Sequence, residues 1–386
     1  MNYMIYLDNA ATTKVSQEFI DDAAMIMKDY WGNPSSPHSV GKKAKDILEE
    51  SREIIAATIN ASPENIIFTS GGTESNNLAI NTLYELDVNI TSKIEHPSIL
   101  KPATDLYFGM IGPESTYGFI SPDSLGRMIS SYVISPDETV GVSIMFANNE
   151  IGTLQDIKKL AEVTHLHNGV FHTDAVQAYC HVPIDVQDLG IDMMSVSGHK
   201  FGCAKGCGFL YSNASVAPMI LGGNQENMRR AGTENLPYIY AMAQQAKKIC
   251  EHIDASRKII LQKTDYLIRN LYDVCFQNDV GVFLNGPSNL EKRLPGNVSV
   301  SLKDIDAQVL VSTLDIYDIC ISAGSACKSS VPEPSHVLKA IGLTDKEARE
   351  TIRINVGLEN SYNDINGFLT TLNMILPMFR KVDSDV

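Results

Sequence analysis

Lys200 closes the stretch Ser195-Val196-Ser197-Gly198-His199-Lys200. The apolar run Ile191 to Val196, broken by Asp192 and Ser195, reads as a buried strand, and the Ser-Gly-His turn after it holds the lysine at the strand's carboxyl end. Open α/β sheets bind ligands at that edge. A lysine held there beside hydroxyl and imidazole donors is suited to forming a Schiff base with an aldehyde cofactor. Taken alone it reads better as an ordinary surface lysine after a strand. Its company reverses that preference. Thr73, His96, Asn148, Asp174, Gln177, Ser197 and His199 all fall at strand ends, and independent surface residues would not collect there so regularly. A different chemistry is signalled by Cys327, in Ala323-Gly324-Ser325-Ala326-Cys327-Lys328-Ser329-Ser330-Val331-Pro332-Glu333-Pro334. Small residues and prolines predict an exposed, mobile loop, and Lys328 favours the thiolate, so this thiol is placed for nucleophilic attack.

The elements that must position these groups follow from periodicity. Tyr3 to Leu7 reads as a short strand, followed by the small polar run Asp8 to Thr13. Ala44, Ile47, Leu48, Ile54, Ile55 and Ile59 form one stripe of a helix between Gly41 and Asn60. Asn65 to Ser70 is a strand that runs into Gly71-Gly72-Thr73-Glu74-Ser75-Asn76-Asn77 and then a helix at Leu78. Strand, glycine turn and helix start form a cradle for phosphate, because backbone N–H groups can approach and the helix N-terminus favours negative charge. A plain βα turn capped by Thr73 would carry the same pattern. Ile90 to His96 is a strand stopped by Pro97, residues 103 to 138 are weakly patterned, and Val140 to Ala147 is a strand buried on both faces. A helix near Lys158 to His167 precedes a strand that begins at Gly169 and ends near Asp174. Strands alternating with helices indicate βαβ units and a mostly parallel sheet. Gly206 to Tyr211 is a further strand, and Gly222 to Asn235 is a glycine-rich loop carrying Arg229 and Arg230. Pro237 to about Gln277 reads as largely helical and leads to a smaller domain with strands at Asn297–Leu302, Ile319–Ser322 and Thr351–Val356. A last helix puts Ile365, Phe368, Leu369, Leu372, Ile375 and Leu376 on one face.

The 386 residues exceed one typical domain, and 44% hydrophobic with 20% charged residues is an ordinary globular balance. A net charge of −15 makes a nucleic-acid backbone an unfavourable partner. No apolar run is long enough to span a membrane, and Met1 to Tyr6 lacks the regions of a secretory signal. The seven scattered cysteines point to reduced thiols and a cytoplasmic location. Cys180, Cys250, Cys275 and Cys320 lie in helix or strand patterns and are expected to pack as small hydrophobes. Cys203 and Cys207 lack the spacing of a zinc site, so no metal is expected.

These motifs, taken in order, resemble the cysteine desulfurases of the NifS/IscS type, within the class V pyridoxal-phosphate enzymes. The resemblance runs from Tyr6-Leu7-Asp8-Asn9-Ala10-Ala11-Thr12-Thr13 to Arg353. It includes Gly32 to Ser36, Ser70 to Asn77, Asn148-Asn149-Glu150, Asp174 to Gln177, Ser197 to Lys200, Arg230 to Thr233, Gly324 to Cys327 and Ser335 to Leu338. It implies an α/β, fold-type I architecture: a large pyridoxal-phosphate-binding domain over residues 15–255, with a mainly parallel sheet flanked by helices, and a smaller α+β domain of residues 1–14 and 256–386 that carries the Cys327 loop. Lys200 would hold the cofactor covalently, His96 would stack on its ring, Asp174 would bond the ring nitrogen and Gln177 the phenolic oxygen. Gly72, Thr73, Ser197 and His199 would hold the phosphate, with Thr233 reaching in from a second subunit of a homodimer. Arg353, helped by Asn148, would bind the substrate carboxylate. Lys200 and His96 would move the Cα proton, and Cys327 would take the sulfur of L-cysteine as a persulfide, leaving L-alanine. Sulfur would pass on to acceptors such as an iron–sulfur scaffold or a tRNA-thiolation factor. The alternatives are another class V lyase or aminotransferase, for example selenocysteine lyase, and a non-catalytic sulfur carrier that kept the fold. Two departures stand out. Gly202-Cys203-Ala204-Lys205-Gly206 replaces the Tyr-Gly-Pro-Lys-Gly of many relatives, and the ending Arg380 to Val386 is shorter than the tail by which housekeeping relatives contact their scaffold.

Overall fold

The computed structural model describes residues 3–324 and 333–379. Cys327 lies outside the described residues.

Among the described residues the strands form three sheets. The short strand β1 (Ile5–Tyr6) comes first. The principal sheet is built from β2 (Ile66–Thr69), β3 (Val88–Ser92), β4 (Gly109–Ile111), β5 (Val140–Ser143), β6 (Gly169–Asp174), β7 (Met193–Ser197) and β8 (Gly208–Ser212). Its order is β2-β8-β7-β6-β5-β3-β4. Pairs β3/β4, β3/β5, β5/β6 and β6/β7 are parallel, and β8 runs antiparallel to both β2 and β7. Every residue of β2, β5, β7 and β8 is buried. Burial on both faces explains why these strands read as continuous apolar runs rather than alternating ones. Because β8 alone is reversed, the carboxyl ends of the other strands open onto one edge.

The second sheet has the order β12-β13-β10-β9, from β9 (Val282–Leu284), β10 (Asn297–Leu302), β12 (Ser322–Ala323) and β13 (Thr351–Asn355). Its pairs are antiparallel. β1 pairs in parallel with β11 (Ile319–Cys320). One apolar cluster gathers Phe19, Ala23 and Ile26, Leu48 and Ile55, the sheet residues Phe68, Val142 and Phe171, and Ile239 to Ala246. Another gathers Leu7, Leu267, Leu271, Val298, Val300, Ile352, Ile354 and Phe368.

Several boundaries differ from the expectations. The helix after β2 begins at Gly72, not Leu78, so the glycine turn is itself the first turn of the helix Gly72–Leu83. Gly71 has φ +142, a conformation that favours glycine, and it lets the chain turn sharply from strand to helix. The weakly patterned stretch 103–138 holds β4 and the helix Pro122–Tyr132, both too short or too polar to show a clear period. The expected strand Ile319–Ser322 is two strands in different sheets. The long helical stretch after Pro237 breaks at Glu251 and His252 into Leu236–Cys250 and Ile253–Gln277.

A fully buried arginine ties the turn after β5 to residues 285–297. Arg293 donates to the carbonyls of Pro287, Ile151 and Asn285 at 2.8, 3.1 and 2.5 Å, and to Asn297 Oδ1 at 3.1 Å. Burial pushes its pKa down to about 10. Hydrogen bonds to carbonyls offset the loss of water around the guanidinium, as a buried charge requires.

Candidate active site

The strand ends enclose a cavity of about 520 Å³. Its walls bring together Gly72, Thr73, His96, Asp174, Gln177, Ser197, His199, Lys200 and Arg353. The sites expected from sequence therefore converge, with two exceptions. Asn148 is fully buried and absent from the wall; Asn149 and Glu150 take that place. Its amide donates to Ile94 O at 2.9 Å, and its Oδ1 accepts from the N–H groups of Glu150 and Ile151 at 2.9 and 3.0 Å. The side chain is thus occupied in shaping the turn. Thr233 is exposed and lies outside the cavity wall of its own chain. Gly324 and Glu333, which flank the undescribed segment containing Cys327, both line the cavity.

Lys200 follows β7 in a 3-10 turn, Gly198–Lys200. Its Nζ donates to the carbonyls of Ala10 and Ala11, both at 2.7 Å. Burial, then the nearby Arg353, push its pKa down to about 8, while Asp174 and Asp8 act in the opposite direction. About a tenth of the amine is then neutral, and therefore nucleophilic, at pH 7, far more than for an ordinary lysine. The small residues of Ala10-Ala11 admit the lysine close to the backbone.

Asp174 ends β6. Its Oδ2 accepts from Asn76 Nδ2 at 2.7 Å and its Oδ1 from the Val176 N–H at 2.9 Å. These two donors fix the carboxylate's orientation. His96 caps the helix Pro97–Asp105, and its Nδ1 lies 2.7 Å from Ser98 Oγ. Desolvation by the residues around it holds the partly exposed His96 imidazole below its usual pKa, which favours the neutral ring. Gln177 donates to Ala10 O at 2.9 Å, which ties it to the same backbone that receives Lys200.

The Gly71-Gly72-Thr73 turn faces Ser197 and leaves a hollow of the kind that can cradle a phosphate. A Cβ on Gly72 would sit 2.7 Å from Val176 Cγ2, and one on Gly71 would sit 3.4 Å from Ser197 Oγ. Only glycine leaves that hollow open beside a helix N-terminus whose first N–H groups have no intrahelical partner. His199 Nδ1 lies 3.1 Å from Thr12 Oγ1, and burial pushes its pKa down to about 4, so it is neutral.

Arg353 lies on β13, opposite the cradle. Its Nη2 donates to Asp8 Oδ1 at 2.7 Å and its Nη1 to Asn149 O at 3.2 Å. Its Nε is buried without a partner. A guanidinium held by two anchors, with an unused N–H, suits a carboxylate ligand.

The residues fit pyridoxal phosphate on these observations: a neutralisable half-buried lysine, an oriented carboxylate, a glycine cradle at a helix start and an incompletely satisfied arginine. Sequence reasoning missed Asn76 and Asp8 as supports of Asp174 and Arg353, although both stand inside motifs it singled out. It also missed Glu95. This carboxyl is fully buried, accepts from Ser92 Oγ at 2.5 Å and the Met145 N–H at 2.9 Å, and leaves Oε2 without a partner. Burial pushes its pKa up to about 8. A second hollow of about 570 Å³ is lined by Arg52, which pairs with Glu49 and Glu226.

The sheet, the lysine at its edge and the cradle define a pyridoxal-phosphate enzyme class, and the chain belongs to the aminotransferase class-V family, whose model matches residues 5–368. Within that family it is 38% identical to a protein named cysteine desulfurase IscS from Dictyoglomus turgidum, over 99% of this chain and 97% of that one. A cysteine desulfurase IscS from Methanosarcina thermophila is also 38% identical, over 99% of this chain and 94% of the relative. Among solved structures, a NifS-like protein from Rickettsia africae superposes with a TM-score of 0.87 at 32% identity, covering 97% of this chain and 99% of that one.

Proposed function

We propose that this protein is a pyridoxal-phosphate-dependent cysteine desulfurase, which converts L-cysteine to L-alanine and passes the sulfur to acceptor proteins. The observation that carries the reading is the convergence of Lys200, Asp174, His96 and Arg353 on one cavity flanked by both ends of the Cys327 segment. Relatives named cysteine desulfurase over nearly the full chain support it.

The cofactor, when bound, withdraws electrons from the substrate's α carbon and so labilises its proton. Lys200 and His96 would hold the cofactor. Asp174, oriented by Asn76, would keep the ring nitrogen protonated, and Gln177 would bond the phenolic oxygen. Gly72, Thr73, Ser197 and His199 would bind the phosphate. Arg353, positioned by Asp8, binds the substrate carboxylate and orients the α carbon toward the bases. Lys200 or neutral His96 takes the Cα proton and returns one to the carbon skeleton that leaves as alanine. The Cys327 thiolate accepts the sulfur: its S–S bond forms as the substrate C–S bond breaks, so L-cysteine and a thiol become L-alanine and a persulfide. Asn148 acts through the turn that presents Asn149, not by direct contact.

We place the cofactor-binding lobe at residues 15–255 and the smaller lobe at 1–14 and 256–386; two apolar clusters, one drawn almost wholly from each stretch, support that division. The working unit is a homodimer in which Thr233 completes the partner's phosphate site. The exposure of Thr233 and of Met219, Ile220, Leu221 and Met228 around its loop supports this reading. Its sulfur acceptors are an iron–sulfur scaffold or a thiolation factor, and its place is the cytoplasm, in keeping with six described cysteines that are free thiols. Among the described residues no helix is long and apolar enough to cross a membrane.

The test is the Cys327→Ala variant of the holoenzyme. It should keep the cofactor's visible absorbance and its spectral response to L-cysteine, yet release no sulfide in the presence of a reductant. Unchanged sulfide turnover refutes the assignment of Cys327, and absence of alanine formation by the unmodified enzyme refutes the desulfurase reading.

A further inference from the structure

Two thiols that the proposed mechanism does not use lie in contact. Cys180 Sγ and Cys250 Sγ are 3.9 Å apart, although the residues are separated by 70 positions in sequence. Cys180 lies in the run of turns, residues 176–181, that starts beyond Asp174 and includes Gln177. Cys250 is the last residue of the helix Leu236–Cys250. Cys180 is buried and Cys250 half-buried, so a small solute reaches Cys250 first. Cys180 is held at φ +64, in the left-handed region that side-chain-bearing residues rarely adopt. Its neighbour Tyr179 is anchored in the core: the hydroxyl lies 2.6 Å from Thr58 Oγ1, and the ring packs edge-on against Phe201 and Phe209. Phe201 adjoins Lys200. The two sulfurs therefore sit between a surface helix end and the segment that carries Asp174 and Gln177.

We propose that Cys180 and Cys250 are an oxidation-sensing dithiol, which a hydroperoxide converts to an intramolecular disulfide that clamps the turn after Asp174 to the end of the helix Leu236–Cys250. Cys250 reacts first. Its thiolate attacks one peroxide oxygen, the O–O bond breaks, and an alcohol (water, for hydrogen peroxide) leaves with the other oxygen. Cys250 is then a sulfenic acid. The Cys180 thiol attacks that sulfur and loses its proton, the S–O bond breaks, and water leaves as the S–S bond forms. The two thiols give up two electrons and two protons; the peroxide takes both. The order follows from access and from acidity: a hydrogen bond from Cys180 pulls the Cys250 thiol below its ordinary pKa, whereas burial pushes Cys180 up. Sulfur–sulfur contact at 3.9 Å leaves about 2 Å to close to a bonded length, a distance within reach of side-chain rotation and a small shift of the helix end.

The experiment treats the full-length holoenzyme with hydrogen peroxide, blocks remaining thiols with iodoacetamide after unfolding, and maps peptides by mass spectrometry. The expected product is a dithiothreitol-reversible cross-linked peptide pair joining Cys180 to Cys250, with loss of 2 Da. Cys250→Ser should abolish the cross-link and leave Cys180 alkylatable. Cys180→Ser should lose the cross-link and drive Cys250 to the sulfinic acid, a gain of 32 Da. The wild-type peptide map needs no variant to fold. The proposal is overturned if both thiols remain alkylatable while methionine oxidation shows that the peroxide acted, or if Cys250 links instead to Cys203, to Cys327 or to a second chain.

Discussion

Replacing Glu226 by alanine should loosen the loop that carries Arg230 and Thr233, at a cost that the local geometry sets. Glu226 is the acidic half of a two-pronged ion pair. Arg52 Nη1 and Nη2 donate to its two oxygens at 2.7 and 2.9 Å. The side chains are 7% and 1% exposed. Glu226 Oε2 also accepts the Phe68 N–H of β2 at 3.0 Å. The backbone around it is strained: Glu226, Asn227 and Met228 have φ of +47, +55 and +64. Alanine relieves none of that strain and removes the anchor that holds it. Removing one partner of a buried pair costs about 3–5 kcal/mol, and stranding the Phe68 N–H adds about 1–3 kcal/mol. The adjoining hollow of about 570 Å³ lets water reach the abandoned guanidinium, so the expected total is the lower end, about 4 kcal/mol. The effect should reach the cofactor, because Arg230 of the same loop donates to Glu74 at 2.7 Å, two residues beyond Gly72. Urea unfolding followed by far-ultraviolet dichroism, together with release of the cofactor's visible band, measures both. The double variant Arg52→Met with Glu226→Leu removes the buried charges together and should recover most of the loss. A Glu226→Ala variant within about 1 kcal/mol of the wild type, or a double variant as unstable as the single one, would refute the reasoning.

The remaining predictions concern the cavity. Asp8→Ala should raise KM for L-cysteine by about 10-fold or more while changing kcat less, because one charge-assisted hydrogen bond to Arg353, worth about 1.5–3 kcal/mol, is lost; equal KM in steady-state assays would show that Asp8 does not position the guanidinium. Capture of pyridoxal phosphate by cofactor-free protein should quicken as pH rises through about 8, where half of the Lys200 amine is neutral, and level off about two pH units higher. A capture rate that does not change across about two pH units on the acid side of that plateau would count against the amine as the nucleophile. Glu95 holds its proton in the folded state up to about pH 8 against a usual 4.5, so its stabilising effect is complete below 4.5 and lost as pH rises through 8. Glu95→Gln should therefore leave stability at acidic pH nearly unchanged and lessen the decline toward pH 8, as thermal melts across that range would show; parallel curves for the two proteins would exclude a buried neutral carboxyl.

Local pattern carried a large part of the fold. β2, β5 and β7 were legible as strands because burial on both faces leaves an uninterrupted apolar run, and the chemistry-bearing residues follow directly after such runs. Gly71-Gly72 read as a turn because only glycine tolerates that backbone and that clearance. The helix boundary at Gly72 was misjudged because Ser75, Asn76 and Asn77 are poor helix formers in isolation; here Ser75 and Asn76 are buried and hydrogen-bonded, which outweighs propensity. β4 and the break at Glu251 carried too little periodicity to register.

The amino-acid sequence determined which groups could react and placed most of them at strand ends, because strand period, turn chemistry and ordered motifs are properties of neighbouring residues. Tertiary structure decided which groups support them. Arg353 meets Asp8 across 345 positions of chain, Asp174 meets Asn76 across 98, and Lys200 meets the carbonyl of Ala10 across 190. None of those contacts follows from local spacing; each exists because the strand order brings β13, β6 and β7 beside the N-terminal segment and the glycine turn. The same packing turned Asn148 inward to shape its turn, and it brought the sulfurs of Cys180 and Cys250 together from segments that show no relation in sequence.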